Sequence, residues 1–93
     1  MSLLAAHIPE NQEFVGDCRY PNNEDVLAAD MQVLKVGIDK DACLSRCLEV
    51  DDAIGCEYHQ PTSGVCWAVM SGEIVTGNEN KLLTCWKFGF IKG

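Results

Sequence analysis

The chain has 93 residues, which is enough for one small domain and too few for two separate hydrophobic cores. Its formal net charge of −7 argues against nucleic acid, heparin-like polysaccharides and anionic membranes as partners. No apolar run approaches the length of a transmembrane helix, so membrane insertion is not expected. Apolar residues make up 47% of the chain, which excludes a disordered tail.

Six cysteines are the unusual feature of the composition. An even number of cysteines in so short a chain predicts three disulfides formed in an oxidising compartment. The alternative is a cytosolic domain with free or metal-bound thiols, but no two cysteines have the Cys-x2-Cys spacing of zinc ribbons. We therefore expect a secreted, extracellular or cell-surface protein without a metal or another cofactor. Because no secretory signal is visible, we expect a mature fragment or an excised domain.

The first segments of the chain predict a lead-in followed by strands. Residues 1–12 have no periodicity and are interpreted as a flexible lead-in or a non-native addition, and residues 13–93 as one domain. Residues 13–20 predict a short strand, and the composition of residues 21–25 predicts a turn or loop. Residues 31–36 combine β-branched side chains with partial alternation, which predicts the next strand.

Residues 39–50 predict an amphipathic helix that carries two cysteines one turn apart. Residues four apart share one face of a helix, so the sulfurs of Cys43 and Cys47 should point to the same side. Asp39 stands where an N-cap residue is expected. The helix should end near residues 51–52.

The rest of the chain predicts strands joined by turns. The predicted segments are hairpin strands over 56–60 and 65–70 with a turn over 61–64, a short strand over 73–76, a loop over 77–80 and a final strand over 82–90. Strands before and after one helix indicate an α+β fold. We expect one α-helix packed on a mostly antiparallel, curved β-sheet of about five or more strands, cross-linked by three disulfides.

The cysteine pattern resembles that of the PAN/apple domains. In that family a helix bears Cys-x3-Cys, the next strand begins with a cysteine and soon has an aromatic residue, and a further cysteine is often followed by Trp. The matching segments are Cys43-Leu44-Ser45-Arg46-Cys47, Cys56-Glu57-Tyr58 and Cys66-Trp67-Ala68. Cys18 and Cys85 correspond to the outer pair of the three-bridge apple version. The resemblance covers about residues 14–90.

The resemblance also implies a disulfide pairing, although six cysteines alone allow many. The implied bridges are Cys18–Cys85, Cys43–Cys66 and Cys47–Cys56. Geometry independently favours this arrangement, because the end of the helix lies nearest to the next strand, where Cys47 would meet Cys56. Cys43 would then reach the returning strand of the hairpin.

The function implied by the resemblance is non-catalytic recognition or adhesion, with an extracellular protein or a neutral carbohydrate as the ligand. No Cys or Ser nucleophile has a compelling His partner, and Cys-x3-Cys is not the redox spacing, so no enzyme activity is expected. The adjacent Asp51 and Asp52 lack the spaced oxygens of a calcium loop. The alternative function is a small secreted inhibitor or effector that blocks a protease or receptor.

Two surfaces are candidates for ligand binding. Trp67 and Trp86 each follow a cysteine on a strand, so both indoles would lie on the far face of the sheet if both sulfurs faced the helix. The alternative is that these indoles pack in the core. The hairpin tip is the second candidate, because exposed loops often carry recognition, although an ordinary polar turn has the same composition. The predicted ligand contacts are His59, Gln60, Thr62, Trp67 and Trp86.

Overall fold

A computed structural model gives the fold and describes residues 11–62 and 64–89. In this part of the chain one α-helix packs on an antiparallel five-stranded sheet, beside a smaller three-stranded sheet. Three disulfides cross-link these elements, so the predicted α+β class is confirmed. Most of the predicted lead-in 1–12, and Phe90 of the predicted last strand, fall outside the described residues. No helix within the described ranges is long and apolar enough to cross a bilayer.

The chain passes between the two sheets more than once. In order they are β1 Gln12–Val15, β2 Cys18–Tyr20, β3 Glu24–Asp25, β4 Met31–Val36, α1 Lys40–Leu48, β5 Gly55–His59, β6 Val65–Val69, β7 Thr76–Gly77 and β8 Leu83–Lys87. The large sheet has the strand order β1-β8-β5-β6-β4, and each neighbouring pair is antiparallel. The small sheet has the order β3-β2-β7. Strands β1 and β4 are therefore the edges of the large sheet.

Helix α1 forms where a capping residue precedes the cysteine-bearing stripe. The Ala42 N–H donates to the Asp39 carboxylate at 2.8 Å, which satisfies one of the amides that a helix N-terminus leaves free. Cys43 and Cys47 are fully buried, as their spacing on one helix face predicted. Both cysteines form disulfides to the large sheet, so the helix is covalently held on one of its faces.

The three disulfides are those that the resemblance implied. Cys43 bonds to Cys66 on β6, and Cys47 bonds to Cys56 on β5. The Cys18–Cys85 bridge joins β2 of the small sheet to β8 of the large sheet. Each sheet and the helix are therefore linked by at least one covalent bond.

The two faces of the large sheet carry two different cores. The helix-side core contains sheet residues that pack with the helix cysteines, namely Cys56, Tyr58, Cys66, Ala68, Trp86 and, just after β8, Phe88. The core on the far side lies with the small sheet and contains Cys18, Val26, Val69, Ile74 and Cys85. The small sheet therefore covers part of the far face of the large sheet.

The orientation predicted for Trp86 is wrong. Trp86 pairs with Cys56 across β5 and β8, and side chains directly opposite each other share a face of the sheet. Because Cys56 faces the helix, Trp86 also faces the helix, and it is only 3% exposed. The prediction assumed that the Cys85 sulfur faced the helix, whereas it faces the other way and bonds to Cys18.

The predicted strand over residues 13–20 is divided between two sheets. The chain turns at Gly16, whose φ of +105° is a conformation that glycine adopts readily. A Cβ at Gly16 would overlap atoms of Asn78 and Glu79, so the close approach of this segment also requires glycine. The result is that β1 joins the large sheet and β2 joins the small one.

Two further boundaries differ from the sequence prediction. The predicted strand over 73–76 is reduced to β7, and part of the predicted loop 21–25 forms β3. Both are two-residue strands that pair with β2. A strand of two residues is too short to show an alternating pattern in the sequence. Its pairing depends on residues that are distant in the chain.

Tyr20 connects the small sheet to the loop after β6. Its hydroxyl lies 2.7 Å from both the Asp30 carboxylate and the Ser71 carbonyl oxygen, and the Ser71 hydroxyl donates to the same carboxylate at 2.7 Å. The donors Ser71 and then Tyr20 hold the pKa of Asp30 below its ordinary value. Burial and the hydrogen-bonded Asp30 carboxylate raise the pKa of Tyr20 to about 12.

We expect Ser71→Ala to raise the pKa of Asp30 toward its ordinary value, and Tyr20→Phe to raise it by less. A lowered pKa means that the folded state binds this proton more weakly than the unfolded state. The contact therefore stabilises the fold above the unfolded pKa of Asp30, and this stability is lost as the pH falls through the folded pKa. Carbon-13 NMR of the Asp30 carboxyl during an acid titration measures the shift. Identical titration in the wild type and both variants would contradict the prediction.

Candidate ligand-binding face and a carboxylate–histidine cluster

Part of the far face of the large sheet is not covered by the small sheet. Trp67 pairs with Glu57, and Glu57 pairs with Cys85, so Trp67 shares the face of the Cys18–Cys85 bridge. On the same face Val33 lies opposite Trp67, while Val36 and His59 lie opposite Val65. We define the Trp67 face by its partly or fully exposed residues Val33, Val36, His59, Val65 and Trp67.

The Trp67 face is apolar and open toward its β4 edge. Val33 is 48% exposed and Val36 is 59% exposed, and the register of β4 with β6 shifts between Val33 and Lys35. The rings of His59 and Trp67 lie 6.1 Å apart at 45°. Large exposed apolar side chains that adjoin an aromatic ring are typical of recognition surfaces.

The indole nitrogen of Trp67 is buried and has no hydrogen-bond partner among the described residues. A buried donor without an acceptor costs about 1–3 kcal/mol. Hydrogen bonding among the described residues therefore does not explain why this position holds a tryptophan. A phenylalanine would fill it without leaving a buried donor unpaired.

Three ionisable side chains converge at the border of the Trp67 face. Glu57 and His59 are two residues apart on β5, so their side chains point to the same side of the sheet. Asp17 comes from the turn that precedes β2. The Nε2 atom of His59 lies 2.7 Å from Glu57 Oε2 and 3.2 Å from Asp17 Oδ1.

Neighbouring groups hold both carboxylates of this cluster in place. Glu57 is only 3% exposed, and its Oε1 accepts a hydrogen bond from the Cys18 N–H at 2.8 Å. The Asp17 N–H donates to Asn78 Oδ1 at 3.0 Å, and the Asn78 amide nitrogen donates to Asp17 Oδ2 at 3.4 Å. The positions of the two carboxylates are therefore set by the backbone of β2 and by the loop after β7.

The electrostatics of the cluster follow from two acids that share one histidine. Burial, and then the charge of Glu57, raise the pKa of Asp17. The hydrogen bond to Glu57 raises the pKa of His59 against the opposing effect of burial, and the charge of Asp17 adds to this rise. A protonated His59 can balance the negative charge of only one of the two carboxylates that lie beside it.

Two groups of side chains in the described ranges have the composition and spacing of a metal site. One consists of the cysteines that form the two helix disulfides, and the other consists of Asp17, Glu57 and His59. The thiolate is the form of cysteine that ligates a metal, so oxidised cysteines do not serve. The second group offers one imidazole nitrogen and two carboxylates within 4.8 Å of one another.

The structure places the side chains of four of the five predicted contact residues, and they lie in two regions. His59 and Trp67 lie together on the Trp67 face, and Gln60 is exposed next to His59. Trp86 lies in the helix-side core. The side chain of Thr62 falls outside the described part of the chain.

Sequence reasoning missed Asp17 and Glu57. Glu57 lies two residues before His59 on a predicted strand, and this spacing indicates that the two side chains share a face of the sheet. Asp17 had no comparable signal, because the turn at Gly16 and the loop that contains Asn78 bring it to the cluster.

The fold defines a small α+β domain cross-linked by three disulfides. In comparisons with known proteins, no family model, no curated protein and no solved structure matches the chain. The resemblance to the PAN/apple domains thus rests on the cysteine pattern and stays a prediction.

Proposed function

We propose that this protein is a non-catalytic recognition module of the PAN/apple type, which acts outside the cell and binds a protein or a neutral carbohydrate through the Trp67 face. The observation that carries the proposal is the exposed apolar strip that Val33 and Val36 form beside Trp67. Three disulfides fit an extracellular or secreted protein.

The scaffold beneath this face is suited to recognition. Two disulfides fix the helix to β5 and β6, which are the strands that carry His59 and Trp67. A surface that is already ordered loses little conformational entropy when it binds, and this lowers the cost of association.

A protein is the favoured ligand. Strand β4 is an edge of the large sheet, so the backbone groups on its outer side have no partner strand among the described residues. Such an edge can accept an extended peptide segment, whose alternate side chains would then meet the exposed valines. The net charge of −7 favours a neutral or basic partner over an acidic one.

The double substitution Val33→Ser/Val36→Ser should weaken binding by about tenfold or more, because it removes the exposed apolar side chains that β4 contributes to the face. The matched control is Leu27→Ser/Val75→Ser, which alters two side chains that are 61% and 40% exposed and lie outside the Trp67 face. Each biotinylated protein is used to capture partners from an extracellular-matrix extract and is applied to an array of neutral glycans. Surface plasmon resonance then measures the affinity for each captured species.

The proposal requires a bound species that the control retains and the Val33/Val36 variant loses. Equal binding by both variants would show that the Trp67 face is not the site. Inhibition of a protease at stoichiometric amounts would instead support the inhibitor function and contradict the proposal of a recognition module.

A further inference from the structure

We propose that Asp17, Glu57 and His59 form a binding site for a divalent transition-metal ion of the zinc type. The proposal is independent of ligand binding by the Trp67 face. It rests on the composition of this cluster, on its charge and on the groups that orient its carboxylates.

The three side chains are the kinds of ligand that zinc takes when cysteine is absent. Zinc binds imidazole nitrogen and carboxylate oxygen, and sites with three protein ligands keep a fourth position for water. One histidine with two carboxylates also suits zinc better than calcium, since calcium takes about six to eight oxygen ligands. The cluster brings one nitrogen and two carboxylates together from β5 and from the turn before β2.

One separation within the cluster is that of two ligands of a tetrahedral site. With metal–ligand bonds of about 2.0–2.1 Å, two ligands of a tetrahedral ion lie about 3.3 Å apart. The distance of 3.2 Å from His59 Nε2 to Asp17 Oδ1 already has this length. Glu57 Oε2, at 2.7 Å from Nε2, would have to move away by about 0.6 Å to reach the same separation.

The two carboxylates of the cluster favour the binding of a cation. Glu57 is almost fully buried, and a second carboxylate, that of Asp17, lies 3.2 Å from the same Nε2 atom of His59. A buried carboxylate requires compensation, and one imidazolium offsets only one of the two negative charges. When a divalent ion binds, it takes the place of the proton on Nε2, which leaves to solvent, and it neutralises both carboxylates.

The surrounding groups act as the outer shell of a metal site does. In metal sites, hydrogen bonds to the ligating carboxylates fix their orientation, and loss of such bonds lowers metal affinity by about 10–100-fold. Here the Cys18 N–H holds Glu57, and Asn78 holds Asp17. These hydrogen bonds therefore restrict both carboxylates to small movements, such as that of Glu57 Oε2, when a metal takes the place of the proton on Nε2.

Isothermal titration calorimetry of the intact chain with Zn²⁺, without a reductant, tests the site. We expect one ion per wild-type chain and an affinity that falls by about tenfold or more in His59→Gln and in Asp17→Asn. The matched control is His7→Gln, because His7 is the other histidine of the chain and lies outside the described residues. This variant should bind Zn²⁺ like the wild type, and Ca²⁺ in tenfold excess should not displace the ion.

Nitrogen-15 NMR of the two imidazole rings in the wild-type protein gives a second readout that does not depend on variants. Zn²⁺ should change the Nε2 shift of His59 at one equivalent and leave the ring of His7 unchanged. The absence of Zn²⁺ binding by the folded wild-type chain would show that the cluster is an ion pair only. Binding that persists in His59→Gln, or that is lost in His7→Gln, would also overturn the proposal.

Discussion

Replacing both Cys18 and Cys85 with alanine is expected to lower the free energy of unfolding by about 4 kcal/mol. The bridge closes a loop between residues 67 positions apart, and the stabilisation from loop closure grows with the logarithm of loop length. Small domains have unfolding free energies of about 5–15 kcal/mol, so the loss would remove much of the stability. Alanine is the suitable replacement because both sulfurs are fully buried and a serine hydroxyl would need a hydrogen-bond partner.

The Cys47→Ala/Cys56→Ala variant is the matched comparison for this bridge. Its cysteines are also fully buried, but they lie only 9 positions apart, for which the same relation gives about 3 kcal/mol. Guanidinium unfolding followed by far-UV circular dichroism measures the free energy of unfolding of the two variants. A smaller loss for the longer loop would mean that chain entropy does not determine the contribution of these bridges.

The outer bridge also has a structural role that the inner bridges lack. It is the disulfide that joins the small sheet to the large one, and Cys18 donates its N–H to Glu57. Without the bridge we expect β2 and Asp17 to move away from β5, since the side chain of Cys18 would no longer be tied to Cys85. The stability of the fold and the geometry of the carboxylate–histidine cluster thus depend on the same covalent bond.

Features of the chain that depend on nearby residues were predictable from the sequence. Helix α1 is specified by a capping residue and by cysteines four positions apart, and all of these signals lie within one short segment. The strands β4, β5 and β6 follow from β-branched and aromatic residues with breakers between them. The disulfide pairing followed from the family resemblance together with the position of the helix.

Features that depend on distant residues were not predictable. The small sheet is built from strands of two or three residues, and their pairing depends on contacts between segments that are far apart in the sequence. The assignment of Cys85 to the far face had to be known before the neighbouring indole could be placed correctly. In the same way, Asp17 reaches His59 through the turn at Gly16 and not through any spacing in the sequence.

The corrected position of Trp86 leads to the second large effect: Trp86→Ala should lower the free energy of unfolding by about 3–5 kcal/mol. The indole is only 3% exposed and packs in the helix-side core beside the disulfide cysteines. Its Nε1–H donates to Glu13 Oε1 at 3.1 Å, so the side chain also links β8 to β1. Alanine would leave a cavity in the core and remove this contact between strands.

Trp67→Ala provides the contrast, because it deletes the same side chain from the opposite face of the sheet. The indole of Trp67 is partly exposed, and its nitrogen has no partner among the described residues, so its loss should cost less stability than the loss of Trp86. Ligand binding should show the reverse order, because Trp67 lies at the centre of the Trp67 face. Guanidinium unfolding measures the loss of stability in both variants, and surface plasmon resonance measures their loss of ligand binding. If Trp67→Ala proves to be the more destabilising change and leaves binding intact, Trp67 is a core residue and the Trp67 face is not a recognition surface.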